Sequence, residues 1–217
     1  MINDSQLKSD IIDELRWDPS ADATEVGVIV KNGIVTLTGH VGSYAEKIAV
    51  EHATQRVKGV MGIAQEIKVR LSSLNKREDA DIAMAARNAL NWNALLPDTA
   101  VQIKVENGRI DLRGEVEWDY LRKAAEKSVR HLRGVVAVVN HIKIKPKIST
   151  EILQKNVTHA LARQAVEDAR NLHIGVQGSC LTLEGKVHSL PESLAAENVA
   201  WSTPGVTEVI NKITVIP

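Results

Sequence analysis

The chain has 217 residues, 44% hydrophobic and 25% charged, a globular composition that fits one large domain or two to three small ones. Its 27 basic and 27 acidic side chains cancel, which argues against a chain-wide nucleic-acid binder. With a single Cys no internal disulfide is possible, and no segment is apolar for long enough to cross a membrane.

The N-terminal stretch MINDSQLKSDIIDEL lacks a basic segment followed by an apolar run, so no leader is expected. The expected compartment is the cytoplasm if Met1 is the native start, and the periplasm if a leader has been removed. Leu7, Ile11, Ile12 and Leu15 recur at helical spacing with Asp and Lys between them, predicting an amphipathic helix. Val26, Val28 and Val30 then alternate as in a strand. Asn32-Gly33 suits a two-residue type I′ turn, and Val35, Leu37, Gly39 and Val41 form the inward face of a second strand. A glycine on that face weakens the strand, and the expected compensation is close approach of a helix. Ser43 and Glu46 have capping-box spacing at the start of a second helix, which carries Ala49 on its inward side. Gly59 reads as its C-cap, and IAQEIKVRL is a last strand.

The same order then returns twice. Gly39 maps to Gly114 and Gly185, at offsets of 75 and 71 residues; Gly59-Val60 maps to Gly134-Val135 and Gly205-Val206, Leu15 to Leu90 and Leu161, and the inward Ala49 to Ala124 and Ala195. Three copies in register predict a tandem array of small domains, residues 1–71, 72–147 and 148–217. The fold class is α+β: three αββαβ domains, each a three-stranded mixed sheet with two helices on one face. The second turn is again Asn-Gly (Asn107-Gly108), whereas Gly178-Ser179 suits type II′. Ser189 and Glu192 repeat the capping box; the middle copy lacks it, leaving Asp119 as the cap candidate. Helix residues Ile152, Val157 and Leu161 open the third copy. Short polar linkers predict domains that touch.

The phrases Leu37-Thr38-Gly39-His40-Val41, Leu112-Arg113-Gly114-Glu115-Val116 and Leu183-Glu184-Gly185-Lys186-Val187, each followed by its Gly-Val, resemble the BON domain. The resemblance covers essentially the whole chain. It implies a non-enzymatic binding protein of the bacterial osmotic or envelope-stress type, without cofactor, contacting anionic phospholipid or protein partners. A small-ion sensor that holds potassium through backbone carbonyls is the alternative it implies. The shared glycines and core aliphatics carry architecture, so no catalytic residue follows from them.

Residues kept in all copies serve packing, so function is sought where the copies differ. By copy the net charge is −2, +4 and −2, which makes the middle copy the basic one. Its second helix spares Leu121, Ala124, Ala125, Val129 and Leu132 for the sheet and presents Arg122, Lys123, Lys127, Arg130 and Arg133, with Trp118 just before it. These six residues form the candidate contact face for an anionic surface. Lys143, Lys145 and Lys147 alternate with Ile142 and Ile144 and are expected on the opposite side of the sheet. Trp17 and Trp92 occupy equivalent positions and are expected at the core edge; Trp201 is a candidate interface residue. The seven His and lone Cys180 show no metal-ligand spacing, and no metal is expected. Neither a nucleic-acid partner nor a particular oligomeric state is implied.

Overall fold

The computed structural model describes residues 3–97, 100–145 and 172–216. In the first module, helix α1 (Asp4–Trp17) starts where the Asn3 side chain accepts from the Ser5 N–H, and it buries Leu7, Ile11 and Leu15. Strands β1 (Val26–Lys31) and β2 (Ile34–Val41) pair antiparallel through the predicted turn. Asn32 and Gly33 both have positive φ, as type I′ requires. Helix α2 (Tyr44–Arg56) then crosses back, so that β3 (Gly62–Gln65) and β4 (Lys68–Val69) lie parallel to β2. Leu37 faces Gln65 and His40 faces Lys68 at the same shift, so these two pieces form one interrupted strand.

The second module repeats the plan as α3 (Asp79–Asn91), β5 (Val101–Glu106), β6 (Arg109–Val116), α4 (Asp119–Val129) and β7 (Ala137–Ile144). Its sheet order is β5-β6-β7, with β6 central. The described part of the third module comprises β8 (Leu172–Gln177), β9 (Cys180–Val187), α5 (Leu190–Trp201) and β10 (Glu208–Val215), with β9 central. Its predicted first helix, with Ile152, Val157 and Leu161, lies outside the described residues. Each module is thus α+β with a mixed three-stranded sheet, and the described helices cover one face of it. Val35 and Leu37, Ile110 and Leu112, and Leu181 and Leu183 on the central strands are 0% exposed. Each such side chain contributes about 1.5–3 kcal/mol by leaving water.

Several expectations need correcting. A Cβ on Gly39 would lie 2.0 Å from the Glu25 carbonyl oxygen, and one on Gly114 2.0 Å from that of Ala100. The close neighbour is therefore the chain entering the adjacent strand, not a helix. The His40 N–H donates to the Glu25 carbonyl at 3.3 Å, and φ is positive at Gly39, Gly114 and Gly185, as in a glycine bulge. Gly59, Gly134 and Gly205 also have positive φ but sit beyond the helix ends; the C-caps are Val57, Arg130 and Ser202. The buried helix position is Val50, Ala125 and Ala196; Ala195, one residue round the helix, is exposed. Trp17 and Trp92 are 86% and 90% exposed. Each lies two residues past a buried leucine, about 200° round the helix and so on its outer side.

One support was not anticipated. The Asp4 carboxylate accepts from the Asn32 and Gly33 N–H groups at 2.8 and 3.2 Å, and Asp79 accepts from Asn107 and Gly108 at 2.7 and 2.9 Å. The first helix therefore holds the hairpin turn by its exposed amides, in both modules for which it is described.

The modules touch in cyclic order, and the start of each second helix is involved every time. Tyr44, first in α2, packs against the second module's core and donates its hydroxyl to the Val138 carbonyl at 3.5 Å. Burial, with the Glu126 carboxylate beside it, pushes the Tyr44 phenol above its ordinary range. Residues Arg122 and Lys123, in the first turns of α4, contact α5 of the third module. Leu190, first in α5, packs against the cores of both the first and third modules, and α2 lies against α5. No strand pairs between modules among the described residues.

Candidate functional site: two cationic faces of the middle module

Helix α4 is amphipathic as expected, with Leu121, Ala125 and Val129 buried. Its N-cap is Trp118, which makes no side-chain capping bond; Asp119 is the first helical residue. In place of capping, the buried Asp119 carboxylate forms ion pairs with Arg122 and with Lys123, the latter at 2.9 Å. Lys123 also donates to Asn198 at 2.7 Å, and the Arg122 guanidinium lies 4.5 Å from the centre of the Trp201 ring. Two of the five helix cations are therefore engaged where the second and third modules meet.

The remaining three lie further along. Arg130 donates from Nε to Nε2 of His131 at 3.0 Å. Burial, with Arg130 and Lys127 nearby, holds the His131 imidazole below its ordinary value. Lys127 and Arg133 are exposed and have no ion-pair partner among the described residues. Trp118 is half-buried against the second module's core. The six candidate residues thus divide into a junction group and an outward group.

A second cationic surface lies on the uncovered side of the β5-β6-β7 sheet. Alternation along β6 turns Ile110 and Leu112 inward and Arg109, Asp111, Arg113 and Glu115 outward. In register beside them stand Lys104 on β5 and His141 and Lys143 on β7, with Lys145 following. Lys104 pairs with Glu106 at 2.8 Å, Arg109 with Asp111 at 3.1 Å and Lys145 with Glu115 at 3.1 Å. The hydrogen bond from Arg109 holds the Asp111 carboxyl below its ordinary value. Arg113 and Lys143 remain exposed and unpaired among the described residues, flanking His141. Lys143 and Lys145 thus lie on the side expected for them, and Lys147 is outside the described residues. Sequence alternation pointed to the β7 lysines; the β6 arginines were masked by intervening Asp and Glu, whose pairing only the register reveals.

The equivalent surfaces are different in character. The first module shows Ile29 and Ile34, exposed, with Thr36 and Thr38 where Asp111 and Arg113 stand, and keeps exposed Lys68 and Arg70 at the places of Lys143 and Lys145. The third shows Thr182, and Glu184 paired with Lys212. Among the described residues no group of three or more His, Cys, Asp or Glu is placed to hold a metal ion, and no helix is long and apolar enough to cross a membrane.

Three modules built on one α+β plan differ most in the charge of their surfaces. The BON domain matches residues 3–70, 78–146 and 149–217, and the chain belongs to that family. No curated protein matches it. Solved structures similar to it include CdsD, a structural protein of the type III secretion system of Chlamydia trachomatis, at 14% identity over 96% of this chain and 91% of that one, with a TM-score of 0.25. The C-terminal domain of CdsD is similar at 16% identity over the whole of both chains, with a TM-score of 0.27. Superposition at that level carries no argument about role.

Proposed function

We propose that the chain is a non-catalytic binding protein that attaches to anionic phospholipid surfaces through the uncovered sheet face of its middle module. Membership of the BON family supports a binding role, and the charge difference between modules singles out the middle one. The observation that carries the reading is the pair Arg113 and Lys143, exposed on an open sheet and in no ion pair among the described residues, since Glu115, opposite Lys143 in the register, is engaged by Lys145. Near an anionic membrane each cation contributes about 1 kcal/mol. Two unpaired cations give a weak, reversible attachment. On the helix side, Arg122 and Lys123 already serve the junction, which leaves Lys127 and Arg133 as a lesser, secondary contact.

Co-sedimentation with vesicles tests the proposal. The protein is expected to pellet with phosphatidylglycerol-containing vesicles, to remain in solution with phosphatidylcholine alone, and to be released as salt screens the charges. Equal behaviour with both vesicle types would remove the lipid reading.

A further inference from the structure

The chain has only four Trp and two Tyr, and no Phe. Three of these six, Trp118, Tyr120 and Trp201, line one cavity of about 500 Å³ between the second and third modules. The equivalents of Trp118 are Ser43 and Ser189, those of Tyr120 are Ala45 and Pro191, and those of Trp201 are Gln55 and Arg130. The aromatic cluster therefore belongs to this junction and not to the repeat.

Its placement carries a stability cost. In the other modules Ser43 and Ser189 cap their helices, accepting from the N–H groups of Glu46 and Glu192. Trp118 occupies the same N-cap without a side-chain bond, forgoing a favourable contribution at that position. A sequence that gives up a local rule at one of three equivalent positions marks that position for another use.

We infer that this cavity is a binding site for a neutral saccharide. Its charges decide against ions. Asp119, 4% exposed, is already matched by Arg122 and Lys123, so it offers a cationic ligand no free carboxylate. One face of Trp201 already carries the Arg122 guanidinium, which repels a second cation there. Both local cations are held by Asp119, so an anion gains little. A wholly apolar ligand would strip water from Lys123, Asn198 and Ser202 on the lining without replacing its hydrogen bonds. A sugar ring meets both demands: its C–H face lies on the indole and phenol rings, and its hydroxyls both give and accept. Asn198 has its Nδ2 hydrogens to give, since its Oδ1 already accepts from Lys123, and the Ser202 hydroxyl, which donates to the Asn198 carbonyl, has its oxygen to accept. Aromatic walls with a few convergent polar groups at a domain junction are the usual make-up of a small-molecule site.

The four indole N–H signals provide an internal test. Titrating the full chain with maltose, cellobiose and chitobiose in ¹H–¹⁵N spectra is expected to move the Trp118 and Trp201 signals with at least one sugar, with a midpoint in the millimolar range. The exposed Trp17 and Trp92 signals act as controls and stay fixed. Trp118→Ala is expected to weaken binding about tenfold or more while α4 remains folded. Trp118→Ser, which supplies the cap of the other modules in place of the packing it removes, is expected to keep the module folded and lose the sugar, so loss of binding separates from loss of fold. No shift with any of the three sugars, equal shifts of all four indoles, or unchanged affinity in Trp118→Ser would overturn the inference. So would selective movement of the same two indoles by a proline-rich peptide or a nucleoside but by none of the sugars.

Discussion

The guanidinium of Arg122 lies 4.5 Å from the centre of the Trp201 ring, joining the second module to the third. Since Asp119 holds the same arginine from its own helix, the stacking geometry is fixed before the modules meet. A cation over an indole contributes about 1 kcal/mol at a partly exposed site. In a double-mutant cycle of Arg122→Ala and Trp201→Ala, followed by urea unfolding, the coupling energy is expected to be about 1 kcal/mol. Strict additivity of the two changes would show that the contact contributes nothing.

Two glycines with positive φ separate strain from overlap. At Gly178 an added Cβ meets nothing within 4 Å, so Gly178→Ala bears only the left-handed backbone penalty, about 1 kcal/mol. At Gly114 the Cβ would lie 2.0 Å from the Ala100 carbonyl oxygen, and Gly114→Ala is expected to lose more than about 3 kcal/mol. Comparable unfolding midpoints for the two variants would contradict the bulge assignment.

Asp79 accepts two hydrogen bonds from the Asn107-Gly108 turn, whereas Asp81, in the same first helical turn, has no such role. Removing the charged acceptor is expected to cost about 2 kcal/mol. Thermal melts of Asp79→Ala and Asp81→Ala check this: the first is expected to fall clearly, the second hardly at all.

Asp18 provides a pH signature. Hydrogen bonds from the Ser20 hydroxyl, then from Arg56, lower its pKa from 3.8 to about 2. Because the folded value lies below the unfolded one, the folded state gains stability above pH 3.8, and the gain is lost as pH falls toward 2. A carboxyl NMR titration is expected to find the depressed value, and Ser20→Ala or Arg56→Gln to return it toward the ordinary range. An Asp18 titration unchanged in both variants would contradict the assignment.

Much of the fold was legible because the same local rules recur in two or all three of the modules. The Asn-Gly turns, the capping boxes and the alternation of Leu37, Leu112 and Leu183 all point to one topology, and the structure follows them. What the sequence concealed was relational. The role of Gly39 depends on a carbonyl fourteen residues earlier in the chain, which spacing within a strand does not reveal. Asp4 and Asp79 read as ordinary first-turn acids, although each holds a hairpin turn. The helix cations looked like one stripe, yet Arg122 and Lys123 face the third module while Lys127 and Arg133 stay exposed further along. Which cations are already paired is decided by register and docking, not by composition.

Charge reversal on the two faces tests the central claim most directly. Arg113→Glu/Lys143→Glu and Lys127→Glu/Arg133→Glu make the same change in net charge on opposite sides of one sheet. In co-sedimentation with phosphatidylglycerol-containing vesicles at low salt, the sheet-face variant is expected to stay in the supernatant and the helix-face variant to pellet nearly as the unaltered protein does. Retained binding by the sheet-face variant, with loss in the helix-face variant, would contradict the account.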